Sequence, residues 1–270
     1  MEITGHMVGM LRNLWEYRHF VANSIWNDFY TRLARSKLGS AWLILQPLSQ
    51  AMIYAFILSN LLSSKLPGVS GQYAYAVYLM SGLLAWNLFA EVLDRCLKIF
   101  VSNANIMKKV YFPRITLPVI AVGSALVNNM ILFVVMIALF VPLGHEFSWT
   151  FLYIPLMAPI IALFAAGCGI FLGIVNVFVR DIEQAVPIVL QVLFWFTPIV
   201  YPASVIPPQY AAYLHVGPMF EMVTFYHEAI VFHNPPSLSG IVTVAVIAAV
   251  ACAFSLMVFR RANADMVDVL

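Results

Sequence analysis

Long apolar runs recur along the chain, separated by shorter polar stretches. Six of them, 42–62, 73–90, 115–141, 149–179, 185–201 and 238–259, reach the roughly 17 to 25 apolar residues a helix needs to cross hydrocarbon. The third and fourth are longer than a bilayer requires, so they are expected to tilt or project beyond it, with Pro155 and Pro159 placed to kink the fourth. The pattern predicts an all-α integral membrane protein. Its parts are a cytoplasmic amphipathic N-terminal segment (1–39) and a transmembrane domain of six helices (40–270), with a re-entrant helical pair before the last span.

Segments that are apolar without spanning complete this picture. Between residues 7 and 33, Trp15 and Trp26 fall about 20° apart on a helical wheel, with Leu11, Leu14, Ile25, Phe29 and Leu33 near them. Arg12, Glu16, His19, Asn23 and Asn27 recur on another face. Such a helix lies in the membrane interface, or packs the same stripe on protein. Residues 91–114 exceed the roughly 2 to 8 residues of an ordinary helix connection. Leu93, Leu97, Phe100 and Val101 give them a helical stripe beside basic positions, as in a docking element or a solvated connector. Residues 202–236 hold six of the 15 prolines and no Lys or Arg. The helical stretch 220–232, about 20 Å long, is too short to cross about 30 Å of hydrocarbon. It fits a re-entrant helix dipping in from outside, covered by protein or a water-filled path, or a cap lying flat on the outer surface.

Charge fixes direction. Thirteen of the 14 Lys and Arg residues fall before the first span, in the second and fourth loops, or in the tail, and only Lys65 lies opposite. Basic loops stay in the cytoplasm, so both termini are expected there. The 39 polar and mixed residues before the first long run do not read as a cleaved signal peptide. Only 10% of residues are charged and 63% are hydrophobic, against about 25% charged in soluble domains. The mean hydropathy of +0.90 agrees. A soluble enzyme is excluded. The 14 basic and 12 acidic residues nearly cancel, which removes disorder and nucleic-acid binding from the possibilities. Cys96, Cys168 and Cys252 fit neither a disulfide framework nor a metal spacing.

The chain carries little chemistry of its own. It has no Gly-rich Walker sequence to cradle ATP phosphates, so no cofactor is expected on it. His227 and His233 are six apart, about 120° off on a helix, whereas zinc ligands of that kind sit four apart. No catalytic or metal site is expected, and His215, His227 and His233 read as polar residues of the outer face. Gly167, Gly169 and Gly173 include a small-xxx-small pair, suited to a close helix contact within one subunit or between two. Span interiors hold amides rather than charges: Gln46, Gln50, Asn128, Asn129 and Gln191, as interhelical hydrogen bonders or pathway lining. Phe194, Trp195, Phe196 and Tyr201 cluster in the fifth span, and Tyr54 and Phe56 lie in the first. Trp195, eleven residues into its span, is too deep for a simple interfacial belt.

Several strings carry a resemblance over nearly the whole chain. They are Arg35-Ser-Lys-Leu-Gly39 with Trp42 and Gln46-Pro47, Asn105 through Arg114, and Arg180-Asp-Ile-Glu-Gln-Ala-Val-Pro187 continuing through Gln191 to Thr197-Pro-Ile-Val-Tyr-Pro202. The chain resembles the membrane subunits of ABC exporters for cell-surface polysaccharides, the O-antigen, capsule and teichoic acid permeases. It departs from them at Gly217-Pro218, where relatives often have Asn-Pro. The resemblance implies a homodimeric permease of the bacterial inner membrane, paired with two copies of a separate ATPase that uses ATP and Mg. A coupling helix receiving the ATPase stroke would fall among Arg95, Lys98, Asn105, Lys108 and Lys109. The sugar channel would be lined by Tyr54, Phe56, Phe194, Trp195, Phe196 and Tyr201, since flat apolar rings suit sugar faces. A lipid-linked polysaccharide, O-antigen above capsule, teichoic acid or a small drug, would present its phosphates to Arg32, Arg35 and Lys37. A membrane-embedded transferase is the alternative outside transport.

Overall fold

The computed structural model describes residues 16–34, 41, 45, 49, 74–109, 114–141, 145–206, 209 and 217–269. No strand occurs among them. The helices are α1 (Arg18–Ala34), α2 (Ala74–Ser102), α3 (Ala104–Lys109), α4 (Thr116–Phe140), α5 (Tyr153–Phe178), α6 (Ile182–Phe196), α7 (Pro218–Ile230) and α8 (Leu238–Val269). A 3₁₀ turn, Trp149–Leu152, leads into α5. Of the described helices, α2, α4, the run Trp149–Phe178 and α8 are long and apolar enough to cross a membrane. The expected first span, 42–62, lies outside the described residues apart from Leu45 and Ser49.

Three boundaries differ from the sequence pattern, each for a local reason. The second span does not stop at residue 90, because no Gly or Pro intervenes between Gly82 and Pro113 and the stripe Leu93, Leu97 and Phe100 stays buried. Half of the expected connector is therefore a continuation of α2. The fifth run ends at Phe196 rather than residue 201, where Pro198 cannot continue the amide ladder. The last helix continues ten residues beyond its expected end at Phe259.

The bundle is organised around α2. In its most apolar stretch 83% of residues are buried, against 17% in α8, so α2 is the axis and α8 faces outward. α2 packs on α4, α5 and α7, and α5 in turn packs on α8. Lipid tails are as apolar as leucine, so close fit and interhelical hydrogen bonds must hold such a bundle together. Both are present. A Cβ on Gly173 would lie 2.5 Å from the Cys96 carbonyl oxygen, and one on Gly169 would lie 2.6 Å from the Cys96 Cβ. On the opposite side of α5, a Cβ on Gly167 would meet the Ala251 and Cys252 backbone at 2.7 Å. The glycine series thus seats α5 between α2 and α8 within one subunit. Asn129 donates to the Leu84 carbonyl at 2.8 Å, and Asn128 donates to Glu91 at 3.0 Å, so both amides of α4 tie it to α2. Gln191 is exposed on α6, while Gln46 and Gln50 lie outside the described residues.

α1 packs its stripe on protein. Val21 is buried, the Ile25 side chain occupies the space a Cβ on Gly123 of α4 would need, and Asp28 is half-buried, which gives a packed stripe at helical spacing. Phe20, Trp26 and Tyr30 remain exposed.

Gly173→Leu is expected to force α5 away from α2 at about 3 kcal/mol, the upper end for overpacked interiors, read as a lowered Tm and reduced membrane abundance. Substitution of the exposed Gln191 by Leu should leave both unchanged.

Candidate functional site: a helix break and a charged arm

Two places concentrate polar chemistry in an otherwise apolar bundle. The first is the backbone break after α6. Pro198 and Pro202 release carbonyls from the helical ladder, yet Thr197 to Val200 are buried. Tyrosines of α2 supply the missing donors: the Tyr75 hydroxyl donates to the Val200 carbonyl at 2.6 Å. The Tyr78 hydroxyl lies 3.1 Å from both the Pro198 and Tyr201 carbonyls. The i, i+3 spacing places both rings on one face of α2. His227 of α7 stacks on Tyr78 with ring centroids 3.7 Å apart, and its Nε2 fits only because residue 82 is Gly, where a Cβ would come within 2.8 Å.

His227, expected on the outer face, is instead only 3% exposed; α7 is buried on nearly every side, so its histidine points into the bundle. Gly217 and Pro218 serve as N-cap and first residue of α7, so the departure from Asn-Pro still starts a helix. At the other end of α7, Thr150 donates to the Ala229 carbonyl at 2.5 Å and the His145 Nε2 lies 2.8 Å from the Ile230 carbonyl, capping groups the helix leaves open. His233 sits beside His145, ring centroids 5.2 Å apart; burial, reinforced by His145 and opposed by Glu146, holds it below the usual histidine range. His215 lies outside the described residues.

The expected channel aromatics divide. Phe194 turns inward and meets Trp86 of α2 edge-on at 5.6 Å. Trp195 and Phe196 are 58% and 57% exposed, on a helix that also exposes Ile188, Val189 and Val192. The Tyr201 hydroxyl donates to the Trp195 carbonyl at 2.9 Å, bracing that turn. The structure thus gathers Phe194, Trp195, Phe196 and Tyr201 at one end of α6, whereas Tyr54 and Phe56 lie outside the described residues.

The second place is the charged arm formed by the end of α2 and by α3. Arg95 donates to Asp28 of α1 at 3.1 Å and to Glu91 one turn back, whose other oxygen accepts from Asn128. Three helices meet in this network. Lys98 pairs with Asp94 at 2.6 Å along the exposed side of α2. Asn103 forms a single turn residue that returns its side-chain amide to the Ile99 carbonyl at 2.8 Å, and α3 follows with Met107 buried and Asn105 and Lys108 exposed. Of the five expected coupling residues, Arg95 and Lys98 are thus engaged within the chain, and Asn105 and Lys108 face outward. The side chain of Lys109 lies outside the described residues, as do that of Arg32 and all of Arg35 and Lys37.

Sequence reasoning missed Tyr75, Tyr78, Asp28 and Glu91. A signal for the tyrosines existed in the paired prolines at 198 and 202, which demand donors, and in the Tyr-x-x-Tyr spacing of α2. Tyr78→Phe keeps the ring against His227 and removes the hydroxyl; leaving buried carbonyls without it is expected to cost about 1–3 kcal/mol in detergent unfolding. Tyr201→Phe, at a more exposed bond, should cost clearly less.

Residues 21–231 match the family model described as ABC-2 type transporter. The chain is 31% identical over 202 residues to the O-antigen export system permease protein RfbA of Klebsiella pneumoniae, covering 74% of this chain and 76% of the relative. It is 24% identical to the protein of the same name from Myxococcus xanthus, covering 90% and 92% of the two chains. It is 26% identical to the polysialic acid transport protein KpsM of Escherichia coli, covering 75% and 78%. The chain belongs to the ABC-2 type transporter family.

Proposed function

We propose that this ABC-2 family member is the membrane subunit of an ATP-driven exporter that moves a lipid-linked polysaccharide, O-antigen, from cytoplasm to periplasm. The observation that carries this reading is the likeness to O-antigen export permeases across three quarters of the chain. It spans the bacterial inner membrane six times with both termini in the cytoplasm, residues 42–62 forming the first span and 202–236 a re-entrant pair. The charge asymmetry of the loops supports that orientation.

Two copies pair, and the channel runs between them. Support comes from α6, whose exposed Ile188, Val189, Val192, Trp195 and Phe196 form an apolar and aromatic face that the described residues leave uncovered. Rings there offer flat contacts to sugar faces without fixed charge. Tyr54 and Phe56 of the first span complete the lining. The lipid pyrophosphate meets Arg32, Arg35 and Lys37 at the cytoplasmic interface, where guanidinium groups bind phosphate in a bidentate manner.

Two copies of an ATPase bind below and supply ATP and Mg. They act on α3 through Asn105, Lys108 and Lys109, while the ion pairs of Arg95 and Lys98 hold the arm that carries α3. Likeness to a polysialic acid transport protein favours a second reading, in which the cargo is a capsule polymer.

Two differently tagged copies are expected to co-purify with each other and with a Walker-containing ATPase; recovery of the chain alone would oppose the reading. Deletion should trap a lipid-linked polymer in the cytoplasm, and its sugar composition decides between O-antigen and capsule. Trp195→Ala is expected to lower polymer export several-fold at unchanged membrane abundance, measured by surface display of the polymer. Unchanged export would remove Trp195 from the path.

A further inference from the structure

The last helix is longer than its membrane task. α8 has 32 residues, about 48 Å, whereas hydrocarbon of about 30 Å needs roughly 20. Its apolar composition ends near Phe259, and Arg260, Arg261 and Asp265 follow on exposed positions. A purely solvated tail would carry no buried apolar side chain. Instead Phe259 is 3% and Met266 0% exposed, and the half-buried Ala262 lies between them at helical spacing. Phe259 stacks on Phe100 at the end of α2, ring centroids 5.4 Å apart. Beyond that stack, α8 contacts α3, and Met107 and Met266 belong to the same apolar core.

The support that α3 receives explains why this matters. α3 has six residues, and helices shorter than about 12 are marginal without packing. A single turn residue, Asn103, joins it to α2, its N–H donating to the Ile99 carbonyl at 3.2 Å and its carbonyl accepting from Met107 at 3.0 Å, so six residues hang on one junction and depend on packing for their place. Its inward residue Met107 is buried, and α2 and α8 are the helices it contacts.

We infer that the cytoplasmic extension of α8 is a strut that positions α3, with Met266 and Phe259 as positioning residues. The inference rests on the assignment of α3 as the coupling element, and it adds the last span to the transmission. Force arriving at α3 is then shared between the central helix α2 and the outward-facing helix α8. Loss of the strut leaves α3 held by its junction at Asn103 and its contacts with α2, so ATP hydrolysis continues while much of its stroke is dissipated.

The test separates position from coupling. A spin label is attached at Lys108→Cys, with Cys168→Ser and Cys252→Ser to avoid background, in the full chain in lipid vesicles. Met266→Ser, or Phe259→Leu if the former does not accumulate, is expected to raise label mobility, and Met266→Leu to restore it. In the complex with its ATPase, polymer exported per ATP hydrolysed is expected to fall about tenfold, within the usual range of coupling between distant sites, at unchanged ATPase binding. Unchanged label mobility would overturn the strut. Raised mobility with unchanged export per ATP would overturn its role in coupling. The mobility measurement needs no ATPase, so failure of the transport assignment, seen as no co-purifying ATPase, is distinguishable from failure of this inference.

Discussion

Hydrocarbon contains no water, so a backbone carbonyl released from a helix at that depth must find a donor inside the protein. The chain releases several after α6, where two prolines prevent the helix from running on. Much of the bundle around that break follows from satisfying them. Tyr75 and Tyr78 must sit on the face of α2 that meets the break; α7 must bring His227 over the Tyr78 ring; and residue 82 must lack a side chain so that the imidazole fits. The ends of α7 obey the same requirement, with Thr150 and His145 serving its last carbonyls. A break that is costly in lipid is thereby made into a defined corner.

The half of the bundle around the end of α2 uses charge where the half around the break uses hydroxyls. Near water, carboxylates and guanidinium groups can pair without full desolvation, and Glu91, Arg95, Asp28 and Asn128 join three helices at that level. α2 links the two halves. It carries the tyrosines near its start and the arginine near its end, as one uninterrupted helix of 29 residues. The corner after α6 and the charged arm are therefore anchored on one continuous helix.

Much of this was legible in the apolar pattern, because spanning helices need long uninterrupted runs and the chain contains them. Residues 115–141 and 149–179 were read to within a residue or so of α4 and of the run ending in α5. The pattern failed where composition and helicity part company. Glu91, Asp94, Arg95 and Lys98 end the apolar run, so the helical stripe of Leu93, Leu97 and Phe100 reads as a segment apart from the span, although nothing there breaks the helix and both belong to α2. Phe194 to Tyr201 look uniformly apolar, although Pro198 ends the helix inside them. Trp195 and Phe196 were legible as a cluster. The direction of Phe194, turned onto Trp86, was not, since it depends on which neighbour α2 places beside it. Partners far apart in the chain, such as Tyr75 with Val200, leave no periodic trace.

The ion pair between Asp28 and Arg95 joins residues 67 positions apart. During synthesis α1 leaves the ribosome first, and at about 5–20 residues per second it waits several seconds for Arg95 to follow. Its other seat, at Gly123, is made later still. Neither of these two seats exists until α2 and α4 have been made, so the place of α1 in the bundle is completed only after both.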